Sequence, residues 1–125
     1  MEEMQKKLNS ELEALKKLQK EYQKSMNAHQ QLDAQLGENK VVKEELDLLK
    51  PSNTVYKLMG PVLVKQDIEE AKMNVDKRIK YISSEVERQN KMLADQEEKM
   101  QATKDNLTKA QAQMQQIQKA IQGQA

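Results

Sequence analysis

An apolar residue returns at every seventh position from Ile79 to Ile121, through Val86, Leu93, Met100, Leu107 and Met114. An unbroken repeat of this length specifies a coiled-coil helix, because seven residues make two turns and keep one narrow stripe aimed at a partner. A second periodic stretch precedes it, with Met4, Leu8, Leu12, Leu15, Leu18, Tyr22, Met26, Leu32 and Leu36 spaced by threes and fours. After Gly37 that stripe resumes one position early, at Val42, Leu46 and Leu49, so a local change of supercoil is expected there. Lys50 precedes Pro51 and is biased out of the α region, which sets the helix end near Leu49. At about 1.5 Å per residue the first helix is then about 70 Å long.

The second helix is expected to start at Asp67, whose carboxylate caps the first turn while Glu70 completes a capping box. Its stripe opens at Ile68, Ala71 and Val75, and its alternate core sites become polar or small at Gln89, Gln96, Thr103 and Ala110. The seam therefore weakens away from the connector. If the chain folds back on itself, the helices are antiparallel and positions whose numbers sum to about 118 face each other. Leu36 then meets Ile82, Leu32 meets Val86, Leu18 meets Met100 and Met4 meets Met114. His29 comes opposite Gln89 and Tyr22 opposite Gln96, where hydrogen bonds can satisfy the polar groups.

The connector carries two runs of β-formers, Thr54 to Leu58 and Val62 to Lys65, around the turn residues Met59-Gly60-Pro61. A lone two-stranded hairpin is marginal in water. Val55, Tyr56, Leu58, Val62, Leu63 and Val64 cannot all face the ends of two thin helices. Both strand edges also leave backbone groups that invite further strands. The expected fold is mainly α, a long antiparallel two-helix coiled coil joined by a single β-hairpin that pairs with hairpins of other subunits into a common sheet or barrel, the intersubunit β-barrel being what the resemblance described below implies. One unit spans 1–125: an N-terminal helix over 1–49, the hairpin connector over 50–66 and a C-terminal helix over 67–125.

Composition excludes several function classes. With 33% charged residues, no Phe and no Trp, the chain can fill only a thin seam. Twenty-one basic against 20 acidic residues give no field for steering toward nucleic acid or an anionic membrane. Without cysteine, neither disulfides nor thiolate metal sites are available. No run approaches the about 20 apolar residues that span a bilayer. Met1-Glu2-Glu3 is acidic where a secretory signal is basic, and a soluble, cytoplasmic chain is expected.

No constellation for catalysis stands out. His29 is the sole histidine and falls on the seam beside Asp33, which makes neither a metal site nor a general base. The serines Ser10, Ser25, Ser52, Ser83 and Ser84 lack activating partners, and Gly37, Gly60 and Gly123 form no phosphate-cradling loop. No catalytic, metal or cofactor site, and no enzyme activity, is expected. The 8 methionines are more informative. Met1, Met4, Met100 and Met114 gather with Leu8, Leu12, Ile117 and Ile121 toward the free helix ends. Spacing alone fits flexible core filler, whereas an overhanging, loosely sealed end fits an adaptable apolar surface for varied partners.

The segments Gln35-Leu36-Gly37-Glu38-Asn39-Lys40-Val41-Val42-Lys43-Glu44-Glu45-Leu46 and Asn53 through Gln66, continuing in Ala71, Asn74 to Arg78 and Tyr81-Ile82, resemble the β-type subunits of the prefoldin family. The likeness covers the middle of the chain by motif and the outer helices by pattern. It implies a hexamer of two α-type and four β-type subunits, with hairpins in a double β-barrel and coiled coils projecting from it. Such assemblies capture unfolded proteins, notably actin and tubulin, without ATP and pass them to the cytosolic group II chaperonin. On this chain the resemblance implies assembly through Val55, Tyr56, Leu58, Val62, Leu63 and Val64, and client contacts at Met1, Met4, Leu8, Met114, Ile117 and Ile121. A structural tether or scaffold subunit binding fixed partner helices is the alternative from another class. A nucleic-acid-binding helical arm would need a basic stripe that the sequence lacks.

Overall fold

The computed structural model describes residues 2–123. Helix α1 (Glu2–Asp47) leads into strand β1 (Val55–Met59), strand β2 (Val62–Gln66) and helix α2 (Ile68–Gly123). The chain divides into two compact units. One joins the stretch up to Asn27 with that from Asn90, and the other is Ala28–Gln89. Both helices contribute to both units, termed here the terminal and the middle unit.

In each unit the helices meet antiparallel along a seam. In the terminal unit the Ser25 hydroxyl reaches Met92 Sδ at 3.7 Å and the Tyr22 hydroxyl donates to Glu97 Oε1 at 2.7 Å. In the middle unit Lys43 pairs with Asp76 at 2.9 Å and Lys72 approaches Asp47 at 4.0 Å. Each of these oppositions lies within one residue of the pairing the sequence predicts.

The one-position slip of the stripe expected after Gly37 is not seen. Helix α1 runs through Gly37 without a break, and Leu36, Asn39 and Leu46 keep the four-three rhythm with Lys43 at the intervening site. Val42, placed on the stripe by its apolarity, is instead exposed. Polar side chains account for the difference: Asn39 donates to the Gln35 carbonyl at 2.7 Å and Lys43 spans to Asp76, so both occupy seam positions without being apolar. The terminal unit shows the same pattern. Leu12 is exposed and Glu11 is half-buried in its place, and Ser25 lies deeper than Met26.

The elements end where local chemistry dictates. Leu49 N–H bonds the Leu46 carbonyl, an i→i+3 contact that tightens and closes α1 two residues before the expected stop. Asn53 then braces the connector, its side chain accepting from Lys50 N–H at 2.7 Å and its own N–H donating to the Lys50 carbonyl at 2.9 Å. Asp67 Oδ2 accepts from Glu70 N–H at 3.3 Å, so the N-cap forms as expected. The core of the middle unit is Leu46, Ala71 and Val75, with Leu49, Val55 and Ile79 packed around it. Through Val55 and Leu49 this cluster ties the root of the hairpin to both helices.

Candidate functional site

The strands pair antiparallel, Val55 with Gln66, Tyr56 with Lys65, Lys57 with Val64, Leu58 with Leu63 and Met59 with Val62. Only Gly60 and Pro61 remain for the turn. Gly60 has φ +58°, the left-handed conformation that a side chain resists, and Pro61 holds φ near −65°, which matches a type II′ turn. Met59, read from sequence as part of the turn, is therefore the last residue of β1.

Since paired residues share a face, Tyr56, Leu58 and Leu63 lie on one side of the hairpin, and Val55, Met59, Val62 and Val64 on the other. Both sides are mainly apolar, with Lys65 on the first and Lys57 and Gln66 on the second. Leu58 is 68% exposed, Leu63 64% and Tyr56 57%, and Met59, Val62 and Val64 are exposed as well. Of the apolar hairpin side chains, Val55 alone is half-buried, against the chain's own core. A two-stranded sheet has no interior strand, so each strand also offers one outward row of backbone donors and acceptors. Apolar cover on two faces and hydrogen-bonding cover on two edges are what this element lacks within the chain.

The other sequence-derived positions are placed as follows. Met4, Leu8, Met114 and Ile117 are half-buried in the seam of the terminal unit, and Ile121 is 53% exposed. Met1 lies outside the described residues. His29 Nδ1 sits 3.5 Å from Asp33 Oδ2, one turn along its own helix. It does not satisfy Gln89 as expected, and Tyr22 turns to Glu97 in place of Gln96. The amide oxygens of Gln89 and Gln96 are consequently buried without a hydrogen-bond partner. A local or charged acceptor is the stronger attraction in both cases, since a carboxylate outcompetes a neutral amide. Its bond to Glu97 is the main reason that Tyr22 has a pKa raised above its usual 10.0. Among the described residues no cluster of three or more His, Asp or Glu could hold a metal ion, and no helix is long and apolar enough to cross a membrane.

Five exposed apolar side chains of the middle unit were not singled out as surface by sequence: Val41, Val42 and Leu48 on α1, Met73 and Tyr81 on α2. The signal that finds them is heptad phase. Val41 and Leu48 are seven residues apart and fall opposite the seam, a pattern obscured by the apolar neighbours Val42 and Leu49.

Fold and surface together define a two-helix coiled-coil protein with a single open hairpin. The sequence model of the family described as "Prefoldin subunit" matches residues 5–116. The chain is 47% identical to prefoldin subunit 6 of Bos taurus over 120 residues, covering 96% of this chain and 93% of that protein. It is 45% identical to prefoldin subunit 6 of Arabidopsis thaliana over 116 residues, 93% of this chain and 90% of that one. The fold matches the crystal structure of the prefoldin beta subunit from Thermococcus strain KS-1 with a TM-score of 0.79, at 20% identity, over 83% of this chain and 91% of that one. The chain belongs to the prefoldin subunit family.

Proposed function

We propose that this chain works as one β-type subunit of a hexameric, ATP-independent co-chaperone in the cytosol. In this reading it joins α- and β-type sister subunits through its hairpin, holds unfolded proteins such as actin and tubulin, and passes them to the cytosolic group II chaperonin. The carrying observation is the hairpin whose two apolar faces and two edges stand open. Pairing with neighbouring hairpins supplies both kinds of cover at once, and Tyr56, Leu58, Val62, Leu63 and Val64 become barrel interior or barrel wall. Val55 orients the hairpin from its root.

Client capture is assigned to the far ends of the helices. There Met4, Leu8, Met114 and Ile117 are only half-covered and Ile121 is exposed, which leaves flexible and branched apolar side chains within reach of an unfolded chain. Several such weak contacts, offered by subunits held together at their hairpins, gain avidity that no single end possesses. The test is light scattering of a chemically denatured client diluted into the assembled complex. The wild-type complex suppresses aggregation, and a complex carrying Ile117→Ser with Ile121→Ser assembles normally but suppresses it less. Unchanged aggregation in the presence of intact wild-type complex contradicts the reading.

A further inference from the structure

Exposed apolar side chains are unevenly spread along the helices. Apart from the hairpin, the middle unit exposes Val41, Val42, Leu48, Met73 and Tyr81, whereas the terminal unit exposes Leu12, Met92 and Ile121. Four of the middle-unit set fall into two patches of the same design and opposite charge. On α1, Val41 and Leu48 are two turns apart with Glu44 and Glu45 between them, all on the side away from the seam and all exposed. On α2, Met73 and Tyr81 bracket Lys77 and Lys80 at spacings of four, three and one, again exposed and away from the seam.

Neither patch is satisfied by its own chain. Glu44, Glu45, Lys77 and Lys80 take part in none of the ion pairs among the described residues, and the Asp76 carboxylate one turn from Lys80 is held by Lys43 at 2.9 Å. The acidic patch also occupies the C-terminal end of α1, whose last turn has no basic residue. Carboxylates there oppose the helix dipole, so cations brought from outside are favoured. Leu48, at 82% exposure, is the most exposed large apolar side chain described, and it directly precedes Leu49, which packs at the hairpin root.

We propose that these two helix faces are a second assembly surface, continuous with the hairpin and occupied by sister subunits. The α1 face of one subunit seats on a face patterned like Met73, Lys77, Lys80 and Tyr81 in its neighbour, and its own α2 face receives the next. A neighbour that offers a basic, apolar face meets the α1 patch, and one that offers an acidic, apolar face meets the α2 patch. The apolar pairs supply the buried contact, and the charges fix its register and reject a reversed neighbour. The inference rests on the assembly reading above and adds the helix faces to it.

The experiment uses the complex co-expressed with its companion subunits. Three variants are compared by native mass spectrometry on dilution, with circular dichroism as the folding control: Glu44→Lys with Glu45→Lys, Lys77→Glu with Lys80→Glu, and the hairpin variant Leu58→Asp with Leu63→Asp. Each helix-face variant is expected to dissociate about tenfold more readily, and about 0.5 M salt to loosen the wild-type complex in the same direction. A photo-cross-linker at Leu48 is expected to capture a helix of a neighbouring subunit. If the hairpin variant disperses the complex while both helix-face variants hold like wild type, this inference alone falls. Cross-links from Leu48 to unfolded client only would also overturn it. A hairpin variant that assembles normally overturns the assembly reading and this inference with it.

Discussion

Gln96 and Gln89 show how a seam position can be polar at a cost. Each buries an amide oxygen that no donor reaches, because the groups expected opposite them found carboxylates instead. Such orphaned groups lower stability while they restrict the registers in which two helices can pair. Gln96→Leu is expected to stabilise the chain by about 1–2 kcal/mol, read as a rise in the urea midpoint without change of slope. Tyr22 gives a second residue-scale expectation. Because the Glu97 carboxylate holds its proton, its folded pKa is raised above the unfolded value. The stabilisation from this bond is therefore fully present below about pH 10 and is lost as pH rises through the folded pKa. The 295 nm absorbance difference between wild type and Tyr22→Phe should titrate with a midpoint above 10, and Glu97→Ala should lower that midpoint.

At the scale of elements, two glycines play opposite parts. Gly37 lies inside α1 with open space where a Cβ would stand, so Gly37→Ala should raise stability by about 1 kcal/mol and Tm by a few degrees. Loss of stability would mean that a break in the helix is needed there. Gly60 also has open space, but its φ of +58° sets the cost. Gly60→Ala should weaken the hairpin by about 1–2 kcal/mol, visible as faster hydrogen exchange over β1 and β2 with α1 and α2 unaffected. The elements themselves were legible in the sequence because a seven-residue apolar repeat, a proline at 51 and an aspartate at 67 each act locally. The phase of α1 past Leu36 was not legible from apolarity alone. Asn39 and Lys43 hold seam positions through a backbone hydrogen bond and an ion pair, partners that only the folded chain reveals. The hairpin's need for cover was legible, since Val55, Tyr56, Leu58, Val62, Leu63 and Val64 together exceed what two helix ends can bury. The apolar outer face at Leu48 was hidden by the same misplaced phase, and Tyr81 by its seam neighbour Ile82.

At the scale of the whole molecule, stability and assembly are coupled. The chain buries few side chains of its own, and those nearest the hairpin, Leu46, Ala71 and Val75, form a cluster too small to cover β1 and β2 as well. In the proposed function the hairpin finds its remaining contacts on other subunits, and the helix ends assigned to client capture depend on that gathering for avidity. Native mass spectrometry of the complex isolated with this chain from its own cells tests this most directly, with wild type set beside Leu58→Asp with Leu63→Asp. The account predicts a six-subunit particle for wild type and its loss in the variant, with helix content unchanged. A wild-type chain recovered alone at 14.5 kDa, folded and with the hairpin protected from exchange, would contradict it.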